Sequence, residues 1–223
     1  VANGPDFQLV LADLPGFQRP MDALTERMQH TVDSSFEDID VVLLVVSARD
    51  RIGAGDRFVA RRVFGLGIPV IIAVNKTDLW EDPEERRAWA ESQMRGRVTF
   101  APWAMVTFIS ALTGQGTRDL LKLALVARDA RRRRLTTAEL NSALNKAIRD
   151  HVPPLVQNKR FKLLYATQAG IDPPTFILFV NDPKLVHFSY RRYLERSIRE
   201  AADFDGTAIK LVFRARSADD ARS

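Results

Sequence analysis

Four residues near the middle of the chain, Asn75-Lys76-Thr77-Asp78, place an amide, a cation and a carboxylate directly after an apolar run at 69–74. The Asp78 carboxylate is able to accept two hydrogen bonds, and guanine offers a matching pair of donors on its ring N–H and exocyclic amine. Adenine offers neither donor at those positions. Asn75 is suited to bond the edge of the same base, and the methylenes of Lys76 to cover its face. The residue types alone fit a plain turn at a strand end better than a guanine-binding loop, and their position directly after a predicted strand makes the two interpretations about equal.

A second short polar segment, Ser110-Ala111-Leu112-Thr113, follows the apolar run at 105–109. The backbone N–H of Ala111 is placed to donate to the O6 oxygen of guanine, and its small side chain lets a base approach. Taken alone, this segment favours a tight turn. Two such loops at the ends of successive predicted strands are a stronger signal than either loop by itself.

A third segment, Asp13-Leu14-Pro15-Gly16, supplies groups suited to a phosphate and its metal ion. An Asp at a strand end can hold Mg²⁺ through water, and the amide of a glycine can approach a γ-phosphate closely. The pattern is very weak in isolation. Its order along the chain, before the segments that begin at Asn75 and Ser110, makes a chance match a poor explanation.

These segments act together only if a sheet brings them to one edge. Apolar runs without polar alternation, such as Val41–Val46, are typical of strands buried on both faces. Strands are predicted at 7–12, 41–46, 69–74 and 105–109, and helices at 21–37, 56–66, 83–95 and 117–130. Alternating strands and helices, with the polar segments at the strand ends, predict an α/β doubly wound sheet.

The composition changes at the basic run Arg131–Arg134, where we place a domain boundary. Residues 1–130 carry 15 Lys and Arg against 18 Asp and Glu, a net charge of −3, whereas residues 131–223 carry 18 against 10, a net charge of +8. A basic surface of this kind favours a polyanion such as RNA, although the basic run itself is equally well explained as a solvated linker. The expected domains are 1–130 and 131–223.

The basic half has a different element order. Thr136 and Glu139 have the spacing of a capping box and start a helix that ends before Pro153. Strands are predicted at 161–167, 175–180 and 208–214, with a helix from a Ser189 cap to about residue 202. The order α-β-β-α-β predicts an α+β domain. Arg191, Arg192, Arg196 and Arg199 are expected to contact phosphates, and the aromatic residues, Tyr165 and Phe179 among them, to lie in the core.

The quoted segments resemble GTPases of bacterial ribosome assembly. Residues 1 to about 74 are similar to the Era family, through Asp13 to Pro20 and "DRIGAGDRFVARRVF". Residues from about 98 to 216 are similar to the C-terminal part of the Der (EngA) family, through "VTFISALTGQGTRDLL", "LTTAELNSALNKAI" and "FKLLYATQAGIDPPTFILFVNDPKLVHFSYRRYLERSIREA". The second resemblance is longer and implies a second GTPase domain of Der followed by its KH-like domain. The mixture fits a divergent member, a chimera or a mis-assembled reading frame.

The resemblance implies a P-loop GTPase-type sheet, GTP and GDP as ligands, Mg²⁺ as the metal, and hydrolysis of GTP to GDP and phosphate. It implies a nucleotide site at Asp13, Gly16, Asn75, Lys76, Asp78, Ser110 and Ala111, with Asp13 on the metal. It also implies that the basic domain binds the large ribosomal subunit and its rRNA. None of the 11 glycines is followed by Lys, so this sequence lacks the Walker A loop, and we expect a chain truncated relative to its family.

Composition limits the alternatives. The absence of Cys excludes disulfides and thiolate metal sites, and no apolar run approaches the roughly 20 residues of a spanning helix, so a cytoplasmic protein is expected. A non-catalytic rRNA-binding module with a remnant GTPase fold remains open, because the phosphate loop is missing. An Era-type protein is disfavoured, since no G-x-x-G segment occurs after residue 135.

Overall fold

The computed structural model describes residues 1–4, 7–13, 36, 38–50, 53–97 and 103–215. The helix predicted at 21–37 lies outside these residues apart from Phe36, and Gly16 lies outside them too. Among the described residues, no helix is both long and apolar enough to cross a bilayer.

The elements of the first half are β1 (Ala2–Asn3), β2 (Gln8–Leu9), β3 (Val42–Ser47), α1 (Ala54–Gly65), β4 (Val70–Asn75), α2 (Pro83–Arg97), β5 (Met105–Phe108) and α3 (Thr117–Arg131). Three of the strands form a parallel sheet in the order β3-β4-β5. In register, Val42 pairs with Val70 and Ile71 pairs with Met105. Three of the four strands and three of the four helices expected here are confirmed to within a few residues.

Strand β4 shows why helices cover both faces of this sheet. Its alternate residues Val70, Ile72 and Val74 share one apolar cluster with Val63 of α1. Ile71 and Ala73 point the opposite way, into a second cluster with Leu120, Ala124 and Ala127 of α3. An all-apolar strand needs a packing partner on each side, and the chain supplies one helix for each. The doubly wound arrangement is confirmed.

The predicted strand at 7–12 is wrong in extent and pairing. Only β2 (Gln8–Leu9) is a strand, and it pairs antiparallel with β1 (Ala2–Asn3) in a separate small hairpin. Val10 and Leu11 are 74% and 60% exposed. An apolar run becomes a core strand only where a neighbouring strand supplies hydrogen bonds, and within the described residues β3 pairs only with β4.

The second half forms an α+β unit. Its elements are α4 (Thr137–Asp150), the small hairpin β6 (Leu155–Val156) and β7 (Lys159–Arg160), β8 (Leu163–Ile171), β9 (Pro174–Val180), α5 (Phe188–Ala201) and β10 (Lys210–Ala215). The central strand, β9, pairs antiparallel with β8 and parallel with β10. Apart from the small hairpin, the predicted α-β-β-α-β order is confirmed. Leu140 and Leu144 of α4 and Leu194 of α5 pack on one face of the sheet.

The two helix starts of this unit differ in how well they are predicted. Thr136 and Glu139 form the expected capping box, and the hydrogen bonds from Thr136 lower the pKa of the Glu139 carboxyl. The predicted Ser189 cap of α5 is wrong, because the cap is His187, whose Nδ1 accepts from the backbone N–H of Ser189 at 3.3 Å. A ring nitrogen replaces the hydroxyl oxygen that usually performs this role.

The loop after α5 joins the two halves. The backbone N–H of Gly206 donates to Trp103 O at 2.9 Å, and the N–H of Val70 donates to Gly206 O at 3.1 Å. Gly206 has a φ of +73°, and a Cβ there would lie 3.2 Å from Met105 Cγ. Only glycine combines this backbone conformation with so close an approach.

Arg199 strengthens the same junction from α5. Its guanidinium donates to Phe204 O and Thr207 O, both at 2.9 Å, and pairs with Glu195 at 3.2 Å. It also lies over the Trp103 ring, 4.3 Å from the centroid. Burial lowers the pKa of Arg199, while the charge of Glu195 opposes that shift. With only 13% of its side chain exposed, Arg199 is a structural residue rather than the phosphate contact expected from its position.

We expect Arg199→Lys to lower the free energy of unfolding by about 1.5–3 kcal/mol, because an ammonium cannot reproduce the forked hydrogen bonds of the buried guanidinium. Urea unfolding measures the change. The matched control is Arg196→Lys, three residues earlier on α5, where the side chain is 68% exposed and the expected change is within about 0.5 kcal/mol. Equal effects of the two substitutions would contradict the structural role of Arg199.

Candidate functional site

The polar segments predicted from β4 and β5 meet at one edge of the parallel sheet. Asn75 is the last residue of β4, and Ser110 lies two residues beyond the end of β5. Because parallel strands end at the same edge, the loops that follow them become neighbours, and ligands of open α/β sheets bind at this edge.

Asn75 ties the two loops together. Its Oδ1 accepts from the backbone N–H of Lys76 at 2.8 Å and from that of Ala111 at 2.9 Å. Lys76 has a φ of 69°, a left-handed conformation that lets the chain turn sharply after the strand. The Ala111 N–H therefore does not stand free for a base, contrary to the expectation from the sequence; a ligand carbonyl would have to share or displace the Asn75 oxygen.

Asp78 is oriented by a serine from the neighbouring loop. The Oγ of Ser110 donates to Asp78 Oδ1 at 2.5 Å, and the backbone N–H of Thr113 donates to the same Oγ at 3.1 Å. Ser110 is fully buried, whereas Asp78 is exposed. Since each carboxylate oxygen has two lone pairs, the held carboxylate retains capacity to accept hydrogen bonds from a ligand.

Sequence reasoning missed two residues that support this site. Thr77 donates to Ile109 O from both its backbone N–H, at 3.2 Å, and its Oγ1, at 3.0 Å. Gly116 has a φ of +74°, and a Cβ there would clash with Phe108 O. The only signals in the sequence are a small polar residue inside the first motif and a glycine just before a helix, and neither predicts its partner.

Of the two residues predicted to bind Mg²⁺ and phosphate, the structure describes only Asp13. Asp13 is exposed in an irregular segment after β2, and Gly16 lies outside the described residues. The described ranges contain no cluster of three or more His, Cys, Asp or Glu side chains able to hold a metal ion. Within the described residues, the structure brings together Asn75, Lys76, Asp78, Ser110 and Ala111, whose polar groups are of the types that bind a base.

Two family models match the chain. One, described as the elongation factor Tu GTP binding domain, matches residues 5–152. The other, described as the KH-domain-like C-terminal domain of EngA bacterial GTPase enzymes, matches residues 134–214. The first covers the parallel sheet and the candidate site, and the second covers the α+β unit.

Curated relatives agree with both models. GTPase Der of Thermomicrobium roseum is 43% identical over 213 residues, which are 93% of this chain and 46% of the relative. GTPase Der of Clostridium perfringens is 37% identical over 95% of this chain and 49% of the relative. The chain thus spans about half the length of the curated relatives it matches.

Among solved structures, the chain is similar to the "Crystal structure of Era in complex with MgGDPNP and nucleotides 1506-1542 of 16S ribosomal RNA". That match has a TM-score of 0.41 and 14% identity over 93% of this chain and 76% of the other. Because the GTP-binding model spans more than half of its length, the chain belongs to the elongation factor Tu GTP-binding domain family, and it is homologous over nearly all of its length to proteins named GTPase Der.

Proposed function

We propose that the chain belongs to a GTPase that acts in assembly of the large ribosomal subunit, and that it binds the guanine base of GTP and GDP. The observation that carries the proposal is the 2.5 Å hydrogen bond from Ser110 Oγ to Asp78 Oδ1. It holds a carboxylate at the sheet edge before any ligand arrives. A held acceptor loses little conformational entropy on binding, and its remaining lone pairs match a base with two adjacent donors.

Phosphate binding and hydrolysis need more than these residues. In this family the phosphates and Mg²⁺ supply most of the nucleotide's binding energy. Under the proposal, Asp13 would hold Mg²⁺ and the amide of Gly16 would bind the γ-phosphate, while this sequence itself contains no Walker A loop for the other phosphates. A second candidate is a non-catalytic rRNA-binding module. It is favoured because none of the glycines in this sequence is followed by Lys, so the sequence contains no Walker A loop.

The proposed RNA surface lies on α5. Arg191, Arg192 and Arg196 are all exposed there, whereas only 13% of the Arg199 side chain is exposed. The Nη2 of Arg191 donates to Leu211 O at 3.1 Å, and Arg196 forms a loose, exposed ion pair with Glu200 at 3.7 Å. Because the guanidinium of Arg191 is held by a backbone carbonyl, Arg192 and Arg196 are the two of the predicted four that are best placed for phosphates. A role in assembling the ribosomal subunit implies that the protein acts in the cytoplasm.

The basic run Arg131–Arg134 lies at the proposed boundary between domains 1–130 and 131–223. Its first two arginines contact other parts of the chain, and its last two are exposed. Arg131 donates to Ile39 O at 3.2 Å and forms an ion pair with Asp172, so it bridges the two halves. Arg132 pairs with Asp40 at 3.3 Å. The side chains of Arg133 and Arg134 are exposed. We infer that the first two residues serve mainly as a linker and the last two add positive charge for RNA.

We expect Asp78→Asn to reverse the base preference of the isolated chain. An amide donates where the carboxylate accepts, so guanosine binding should weaken about 10-fold or more, the loss expected for hydrogen bonds to a charged group, while xanthosine binding improves. Nucleosides are used because they test the base without a phosphate loop, and the Ala111 amide resonance reports binding by NMR. Asp119→Asn, an exposed carboxylate on α3, is the control. An unchanged guanosine-to-xanthosine ratio in Asp78→Asn would reject the assignment.

A double charge reversal on α5, Arg192→Glu with Arg196→Glu, should weaken binding of rRNA fragments regardless of their sequence. Phosphate contacts release counterions, so the slope of log affinity against log salt should become shallower by about 0.7–0.9 for each phosphate that the variant no longer neutralises. Filter binding at several salt concentrations measures both effects. Arg87→Glu, an equally exposed arginine on α2, should change neither. Salt-insensitive binding of the unmodified chain would show that the basic surface is only solvated.

A further inference from the structure

The sheet of the second unit has an outer face that its helices do not cover. On β9, Phe176, Leu178 and Val180 are fully buried against α4 and α5. The intervening residues point the opposite way and are half-buried. We call this surface the outer sheet face; it consists of Tyr165 and Thr167 of β8, Thr175, Ile177 and Phe179 of β9, and Lys210, Val212 and Arg214 of β10.

The strand register arranges these residues in rows across the sheet. Phe179 is paired with Tyr165 on one side and with Arg214 on the other. The rings of Tyr165 and Phe179 are stacked, with centroids 4.2 Å apart and planes 13° from parallel. One row therefore presents two parallel aromatic rings beside a guanidinium. The expectation that both rings lie in the core is wrong, because β-strand alternation places them on the open side.

The charge of the outer sheet face is of one sign. Lys210 and Arg214 are exposed, and neither side chain has a hydrogen bond or ion pair among the described residues. None of the eight positions is Asp or Glu. Two residues before the row of Tyr165, Phe179 and Arg214, the apolar side chains of Ile177 and Val212 are paired across β9 and β10. The surface therefore combines an apolar, aromatic floor with cations along the β10 edge.

We propose that the outer sheet face binds single-stranded RNA, with an unpaired base stacking on Tyr165 and the flanking phosphates lying along Arg214 and Lys210. The proposal extends the proposed function, since it assigns a second RNA surface to the same domain. Bases offer their faces to aromatic side chains only when unpaired, and a cationic edge follows the backbone. An apolar protein partner would bury both cations without acceptors, which disfavours it.

The outer sheet face is separable from the α5 surface. Helix α5 packs on the inner side of the sheet through Leu194 and Ile198, so Arg192 and Arg196 lie on a different side of the domain from Tyr165. The two surfaces also predict different chemistry. The α5 surface contacts phosphates and accepts any nucleic acid, whereas the outer sheet face needs an unpaired base.

The test measures binding of a labelled 12-nucleotide oligouridylate and of a 12-base-pair RNA duplex to the full chain by fluorescence anisotropy. Tyr165→Leu keeps apolar bulk but removes the ring, and it should weaken single-strand binding about fivefold or more, the loss typical of one base-stacking ring. Tyr165→Phe keeps the ring and should bind as the unmodified chain does. Duplex binding should not change in either variant. Arg214→Gln should weaken single-strand binding and lower the salt slope by about 0.7.

A control variant and a crosslinking measurement accompany these substitutions. Phe188→Leu is the matched control, an aromatic that is 68% exposed on α5, and should leave single-strand binding unchanged. Photocrosslinking of the unmodified chain to an oligonucleotide carrying 4-thiouridine should modify the peptide that contains Tyr165, which tests the proposal even if a variant does not fold. The proposal is overturned if the oligonucleotide does not bind, if Tyr165→Leu binds normally, or if crosslinks are confined to α5. The last two results would leave rRNA binding through α5 intact, and the nucleoside experiment tests guanine binding independently.

Discussion

Strand β4 is hydrogen-bonded on both sides and apolar on both faces, and the rest of the first unit is placed relative to it. Residues Val70–Val74 are at most 3% exposed, with β3 and β5 beside them and α1 and α3 above and below. Burying such a strand is strongly favourable only if its backbone groups are paired. That pairing aligns the ends of β4 and β5, and the alignment brings Asn75 to Ala111 and Asp78 to Ser110. The candidate site is thus a direct consequence of the parallel register.

The same strand also connects the two halves. Its first residue, Val70, donates to Gly206 of the loop that precedes β10, and that loop in turn bonds to Trp103 before β5. The strands that lead to the loops of the candidate site therefore contact the second unit at their opposite ends. Arg199 closes this contact with a buried guanidinium, which explains why one cation of α5 is not available to a polyanion.

The second unit divides its two proposed RNA contacts between opposite sides of one sheet. Strict alternation along β9 buries three large apolar residues against the helices and leaves Phe179 and Ile177 on the other face. Cations on α5 favour contacts with phosphates, whereas the stacked pair of Tyr165 and Phe179 favours an unpaired base. A domain without a G-x-x-G loop has in this way two surfaces that differ in chemistry and respond to different substitutions.

Local rules were enough to predict the class of the fold, most element positions, the capping box at Thr136 and the two loops of the candidate site. Those rules are apolar periodicity, helix caps and the residue types that a guanine base requires. Tertiary packing was needed to show that residues 7–12 form no core strand, that His187 caps α5, that Asn75 occupies the Ala111 N–H, and that Arg199 is buried. Packing also placed Tyr165 and Phe179 on the open side of their sheet. Each of these features depends on which distant segment arrives as a neighbour, and local sequence patterns carry no information about that.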